Sequence, residues 1–222
     1  MDFSNLIQTI LVYALPVLFA ITVHEAAHGY AARHFGDDTA YVQGRVTLNP
    51  LKHIDPIGTI VMPLMLYFAT SGAFLFGYAK PVPVNFGRLR NPRKHMVLVA
   101  LAGPASNFVQ AVFWALLLVV LISSGVEEVF FLGMAKAGIL VNLVMWAFNL
   151  FPLPPLDGGR IVAGLLPWKY AQVFARIEPF GFFIVLGLVI AKVMGPLWLN
   201  PLMSLGYAAI KLLLLPISWM FG

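Results

Sequence analysis

An all-α membrane protein with multiple spans is what this sequence of 222 residues predicts, on three observations. Hydrophobic residues make up 60% of the chain and charged residues 10%, where an ordinary soluble domain is about 25% charged. Uncharged apolar runs recur at lengths near the roughly 20 residues a helix needs to cross a bilayer. The basic residues, which leave a net charge of +5, gather between those runs. That is the pattern of a topology signal, not of a soluble face that binds nucleic acid. The absence of cysteine excludes disulfides, thiolate metal sites and cysteine nucleophiles. The expected architecture is one domain over 1–222 with about five or six membrane-embedded helices, a small membrane-associated β element and a re-entrant segment.

The first helix is expected over 5–35, with turn chemistry at Gly36-Asp37-Asp38 to stop it. Met1-Asp2-Phe3 lacks the basic flank of a secretory signal, so this segment is expected to be retained. Residues 39–48 (TAYVQGRVTL) alternate loosely and are rich in β-branched side chains, which predicts a short strand or hairpin near the membrane surface. Ile57 to Phe76 is apolar and long enough to span, yet Gly58, Pro63 and Gly72 interrupt it. Pro81 and Pro83 forbid a helix and favour an extended segment ending at Asn85. Together 39–86 form the expected β and re-entrant region. Helices are expected over 96–123 and from 129 to about 151, the second running into a Pro-rich motif so that the pair occupies 129–157. Residues 5–166 form the core, and apolar helices over 180–222 are accessory.

Inside the first helix lies His24-Glu25-Ala26-Ala27-His28. At about 100° per residue, positions i and i+4 share one helix face, one turn apart. Two imidazoles can therefore grip one metal ion, with the intervening Glu25 beside it as general base. Two histidines and a carboxylate at bilayer depth are costly unless paired or metallated, which favours a metal site over buried structural histidines.

A catalytic zinc ion takes three protein ligands and keeps one position open. His34 would complete the pattern HExxHxxxxxH, but the glycine that lets such a chain turn back is replaced by Ala31. On a continuous helix His34 lies about 9 Å beyond His28 and off its face. Asp157 is the better candidate. It is the only carboxylate between Glu128 and Glu178, and it follows a break built from Pro152, Pro154 and Pro155. Irregular backbone at membrane depth is tolerated where it is buried in protein or lines a cavity. The plainer alternative is a loop aspartate capping the next short helix.

These residues carry a resemblance to the site-2 protease family, the intramembrane zinc metalloproteases. The family's HExxH is present, and its NxxPxPxLDG pattern occurs in full as Asn149, Pro152, Pro154, Leu156, Asp157 and Gly158. A GPxxN element matches as Gly103, Pro104 and Asn107. The likeness covers roughly residues 10–165. It implies that His24, His28 and Asp157 bind one Zn2+ per chain, that Glu25 activates water, and that Asn149 contacts the scissile peptide or its oxyanion. The substrate it implies is a membrane-protein helix in the lipid bilayer. The sequence resembles a minimal form, without the PDZ domain or the nucleotide-sensing domain that some members carry. Asn107 is either a helix–helix hydrogen bond or a substrate contact. His53 and Asp55 either line the cleft or belong to an ordinary loop, and Lys211 faces the bundle or snorkels.

For the ligands to meet, the first helix and the helix from 129 must run in the same direction, so Ile57 to Asn85 is expected to dip in and return. Arg45, Lys52, Lys80, Arg88, Arg90, Arg93 and Lys94 fall between the first helix and the helix at 96. That places this side in the cytoplasm, with the zinc site toward it and the amino terminus outside a cell membrane crossed repeatedly. The rival functional classes are a metal transporter and a proteolytically silent zinc-binding scaffold. A transporter needs ligands strung along a route, and a silent scaffold has no need of Glu25.

Overall fold

The computed structural model describes residues 3–61, 65 and 79–221, and among these the secondary structure is helical, with no strand. The long helices are α1 (Phe3–His34), α3 (Pro92–Ser123), α4 (Val129–Asn149) and α8 (Asn200–Phe221). Shorter ones are α2 (Thr39–Val42), α5 (Asp157–Leu165), α6 (Trp168–Ala175) and α7 (Glu178–Ile190).

The helix ends follow from their residues. At the end of α1, Gly36 has φ +111°, its N–H donates to the Arg33 carbonyl, and Asp37 N–H donates to the Ala32 carbonyl. This closing pair needs a left-handed residue, which glycine supplies without steric cost. α3 opens on Asn91, whose side chain accepts from Lys94 N–H, followed by Pro92 in the first turn, where no N–H is missed.

The expected strand over 39–48 is not formed. Asp37 is fully buried, and its Oδ1 accepts from the backbone N–H of Thr39 at 3.1 Å and from the Thr39 hydroxyl. That bonding starts a turn, and α2 continues it. Local side-chain hydrogen bonding in the turn therefore outweighs the β-branched composition of the segment.

Four described segments are long and apolar enough to cross a membrane: Ile7–His34, Pro92–Ser123, Val129–Asn149 and Gly195–Ile217. A fifth is possible if α6 and α7, bent by 65°, count as one. The expected five or six thus becomes four or five among the described residues. Most of the re-entrant candidate Ile57 to Phe76 lies outside them. Its first residues form a π-helical turn, Pro56–Val61, whose first N–H groups are taken by Asp55 Oδ1.

The chain between α1 and α3 starts and ends in one place. Arg90 N–H donates to the Phe35 carbonyl at 3.0 Å, Lys80 N–H to the His53 carbonyl at 2.9 Å, and Phe35 stacks on His95 with ring centroids 4.3 Å apart. The C-terminus of α1 therefore meets the N-terminus of α3, and α3 runs back beside α1. A turn at Gly125 (φ +69°) reverses the chain again. α4 then runs parallel to α1, as ligands carried at their two ends require.

α1, α3 and α4 pack against one another, with α5 laid on α3. Their contact faces are small: Ala20, Ala26 and Ala32 on α1, Ala100, Ala111 and Ala115 on α3, and Ala135, Ala137 and Ala147 on α4 are buried. Where hydrophobic burial cannot drive helices together in lipid, close approach over small residues does. Gly138 shows it, since a Cβ there would overlap the Trp114 ring. Large apolar side chains such as Ile10, Phe113 and Phe183 point outward and are at least half exposed, as a lipid-facing surface demands.

Candidate metal centre

His24 and His28 stand on one face of α1, with their Nε2 atoms 3.0 Å apart. Asp157 Oδ2 lies 3.2 Å from each. All three residues are buried. The break after α4 delivers Asp157 to this point. A Cβ at Gly158 would run into the Leu150 and Phe151 carbonyls, and one at Gly159 into the Leu153–Pro154 backbone. The glycine pair thus lets the first turn of α5 lie directly on the break, which aims Asp157 back at α1. Asp157 is the first residue of α5, but Leu156 holds the capping position and no side chain caps the helix. The Asp157 carboxylate joins the histidines instead of acting as the expected cap.

The hydrogen bonds fix the polarity of the cluster. His28 Nδ1–H donates to the Val99 carbonyl at 2.8 Å, an atom that can only accept. Asn107 uses its Nδ2 on the Ala20 carbonyl and on Asn142 Oδ1, so the atom facing His24 Nδ1 at 2.6 Å is the amide oxygen, and the ring donates to it. With both Nδ1 atoms donating, both Nε2 atoms turn lone pairs toward Asp157. Asp157 Oδ2 is buried and has no hydrogen-bond partner among the described residues.

Three lone pairs thus converge on one point. A proton could bridge two of them, whereas a metal ion takes all three. A tetrahedral ion with bonds of about 2.0–2.1 Å sets its ligand atoms roughly 3.3 Å apart, close to the spacing found here. Two nitrogens and one oxygen leave a tetrahedral ion one open position, the donor set of a catalytic zinc site. Among the described residues this is the one group of three or more His, Asp or Glu able to hold a metal. Gly103 of α3 lies against it, because a Cβ there would stand 2.6 Å from His24 Nε2 and closer still to His28 Nε2.

Glu25, half-buried next to the cluster, accepts the Val82 N–H at 2.7 Å through Oε2. The other sequence-predicted residues do not join the ligand group. Asn107 is fully buried with its polar atoms engaged in the network just described, so of its two readings the structure fits the helix–helix bond. Asn149 Nδ2 donates to the Met145 carbonyl of its own helix at 3.0 Å. His53 is buried, donates from Nε2 to the Thr47 carbonyl at 2.9 Å, and braces the loop. His34 is exposed beyond the cluster, and Asp55 caps the turn after it. Lys211 is exposed on α8.

The comparisons with known proteins agree with this geometry. The chain is 41% identical over 197 residues to the Bacillus subtilis protein named "Putative zinc metalloprotease YwhC", covering 86% of this chain and 85% of that one. This chain belongs to that zinc metalloprotease family. Rip2 of Mycolicibacterium smegmatis, which carries the same description, is 31% identical over 181 residues, or 78% of this chain and 64% of Rip2. Rip2 of Mycobacterium tuberculosis H37Rv is 30% identical over 174 residues, with the same coverage. No family model and no solved structure matches the chain. Membership makes zinc the ion that best accounts for the two imidazoles and the carboxylate.

Sequence reasoning passed over Asn142 and the Val82 N–H, and read Arg45 only as a loop charge. Asn142 had a signal, an amide in the middle of an apolar helix, which calls for a hydrogen-bond partner on a neighbouring helix. The pattern Pro81-Val82-Pro83 had another, a single backbone donor among three residues.

Proposed function

We propose that this protein is a zinc-dependent intramembrane endopeptidase, cutting peptide bonds in or near transmembrane segments of membrane proteins. The observation that carries the reading is the convergence of Asp157 on His24 and His28 beside Glu25, with the histidines on a helix apolar enough to span a bilayer. The resemblance to the site-2 proteases points the same way. A zinc ion held by the three ligands supplies Lewis-acid activation of water near neutral pH. Glu25 accepts the proton that the attacking water loses and returns it to the leaving amine. Asn149, at the rim of the break, contacts the scissile peptide. A helix keeps its carbonyls in hydrogen bonds, so the substrate unwinds locally before it is cut. The basic loop residues support a cytoplasmic position for the zinc side and an outside amino terminus.

The test is cleavage of a membrane-embedded reporter helix by purified protein and by Glu25→Gln, with zinc quantified in both. The variant should keep its zinc and lose about 10²–10⁴-fold in rate. Cleavage by the variant at the wild-type rate would remove Glu25 from the chemistry. Zinc in both, with no cleavage of a broad set of helices by either, would favour the silent scaffold.

A further inference from the structure

The buried polar groups around the cluster continue away from it, from His24 through Asn107 on α3 to Asn142 on α4. Neither asparagine is exposed to any extent, and the surroundings of Asn142 on α4 are apolar: Gly138, Ile139 and Leu143 are buried with it. An amide has a donor end and an acceptor end of nearly equal size, so neighbours decide which way it points. Asn142 is decided by the Gly138 carbonyl, which can only accept. Its Nδ2 donates there at 2.9 Å, and its Oδ1 is left facing Asn107. Asn107 then donates to that oxygen at 3.0 Å and to the Ala20 carbonyl at 3.1 Å. Both N–H bonds of Asn107 are spent, and only its oxygen remains for His24 Nδ1.

We infer that Asn142 is a positioning residue for the metal centre: through Asn107 it selects the His24 tautomer that presents Nε2 as a free lone pair. The inference rests on the reading of His24 as a zinc ligand. Were Asn107 reversed, it would offer an N–H to the ring. His24 would then accept at Nδ1 and carry its proton on Nε2, where the ion binds. Two acceptors hold Asn107 in the productive orientation, the Ala20 carbonyl and Asn142 Oδ1. Deleting the second leaves one buried N–H unpaired and narrows the difference between the two orientations. Partners of this kind, one bond removed from a ligand, carry about 10- to 100-fold in metal affinity. Asn142 acts from two bonds away.

Two substitutions separate this role from packing because the two accounts rank them oppositely. Asn142→Leu keeps the shape of the side chain and removes its polarity. Asn142→Ser leaves a small cavity, but a helical serine donates to the carbonyl four residues back, here Gly138, and turns a lone pair outward. The full chain, purified in detergent with 15N-labelled histidine, is compared as wild type and as both variants. Zinc affinity is read by competition with a chelator, and the His24 tautomer by the 15N spectrum of metal-free protein at alkaline pH. Asn142→Leu should weaken zinc by about 10-fold or more and show mixed tautomers, while Asn142→Ser stays closer to wild type in both. Zinc binding by Asn142→Leu equal to wild type, or tighter than by Asn142→Ser, with His24 unmoved, overturns the inference. If the wild type takes up no zinc yet the tautomer still shifts in Asn142→Leu, the metal reading fails and the relay stands.

Discussion

Val82 gives its backbone N–H to the carboxylate of Glu25 at 2.7 Å, across 57 positions of chain. Pro81 and Pro83 have no N–H to give, so this bond is the single backbone donation the three residues can make. The strap that delivers it is pinned at both ends. Arg45 Nη2 donates to the Lys80 and Pro81 carbonyls at 2.9 and 3.3 Å, and Asn85 N–H donates to the buried Asp37 Oδ2 at 2.6 Å. The strap thus holds the Glu25 carboxylate beside the histidine that follows His24 by one turn.

Arg45→Ala should release the strap without touching the ligands. The expected outcome is faster hydrogen exchange at Val82, unchanged zinc content, and a turnover about 10- to 100-fold lower, the scale on which small misplacements of a reacting group act. Unchanged exchange and turnover together would show that Asp37 and His53 hold the strap without Arg45.

Asp157→Asn keeps the shape of the side chain and removes its charge. Zinc affinity should fall by at least about 100-fold, beyond the cost of losing an outer partner. Thermal unfolding reads this directly. Free zinc at 100 times its Kd stabilises the wild type by about 2.7 kcal/mol, and that gain should nearly vanish in the variant. Acidification should weaken zinc in the wild type as well, because His24 and His28 must each offer an unprotonated Nε2. A variant whose unfolding temperature rises with zinc as the wild type's does would remove Asp157 from the ligand set.

The legible parts of the molecule were those with one dominant cause. Long apolar runs, with turns at Gly36 and Gly125, gave α1 and α4 nearly their observed limits, whereas α3 begins at Pro92, four residues before the expected 96, because Asn91 caps it there. The i, i+4 histidines and the isolated Asp157 gave the cluster, because helical geometry leaves little choice for the first pair and the chain offers no rival carboxylate nearby. The strand expected over 39–48 failed because Thr39 meets Asp37, and one bonded carboxylate outweighs a loose alternation. The network of Asn107 and Asn142 could not be read from spacing. Its partners lie 83 and 35 positions apart in the chain, and only the packing of three helices brings them together.

Gly103 offers the sharpest check on how the cluster is seated. A Cβ at this position would come within 2.6 Å of His24 Nε2 and Cε1 and overlap His28 Nε2. The rings cannot swing away without breaking their Nδ1 bonds to Asn107 and Val99. Nor can α3 withdraw from α1, since Val99, Ala100, Pro104 and Asn107 are buried around the same contact. Gly103→Ala should therefore cost about 1–3 kcal/mol of stability through overpacking and at least about 100-fold in zinc affinity, measured by chelator competition, as for a lost ligand. Gly187, exposed on α7 with no atom within 4 Å of where a Cβ would stand, serves as the control. Gly187→Ala should leave zinc binding unchanged and raise stability by about 0.5–1 kcal/mol, the usual gain of alanine over glycine inside a helix. Equal zinc affinity in both variants would mean that α3 does not press on the ligands, and the metal centre would then have to be placed without it.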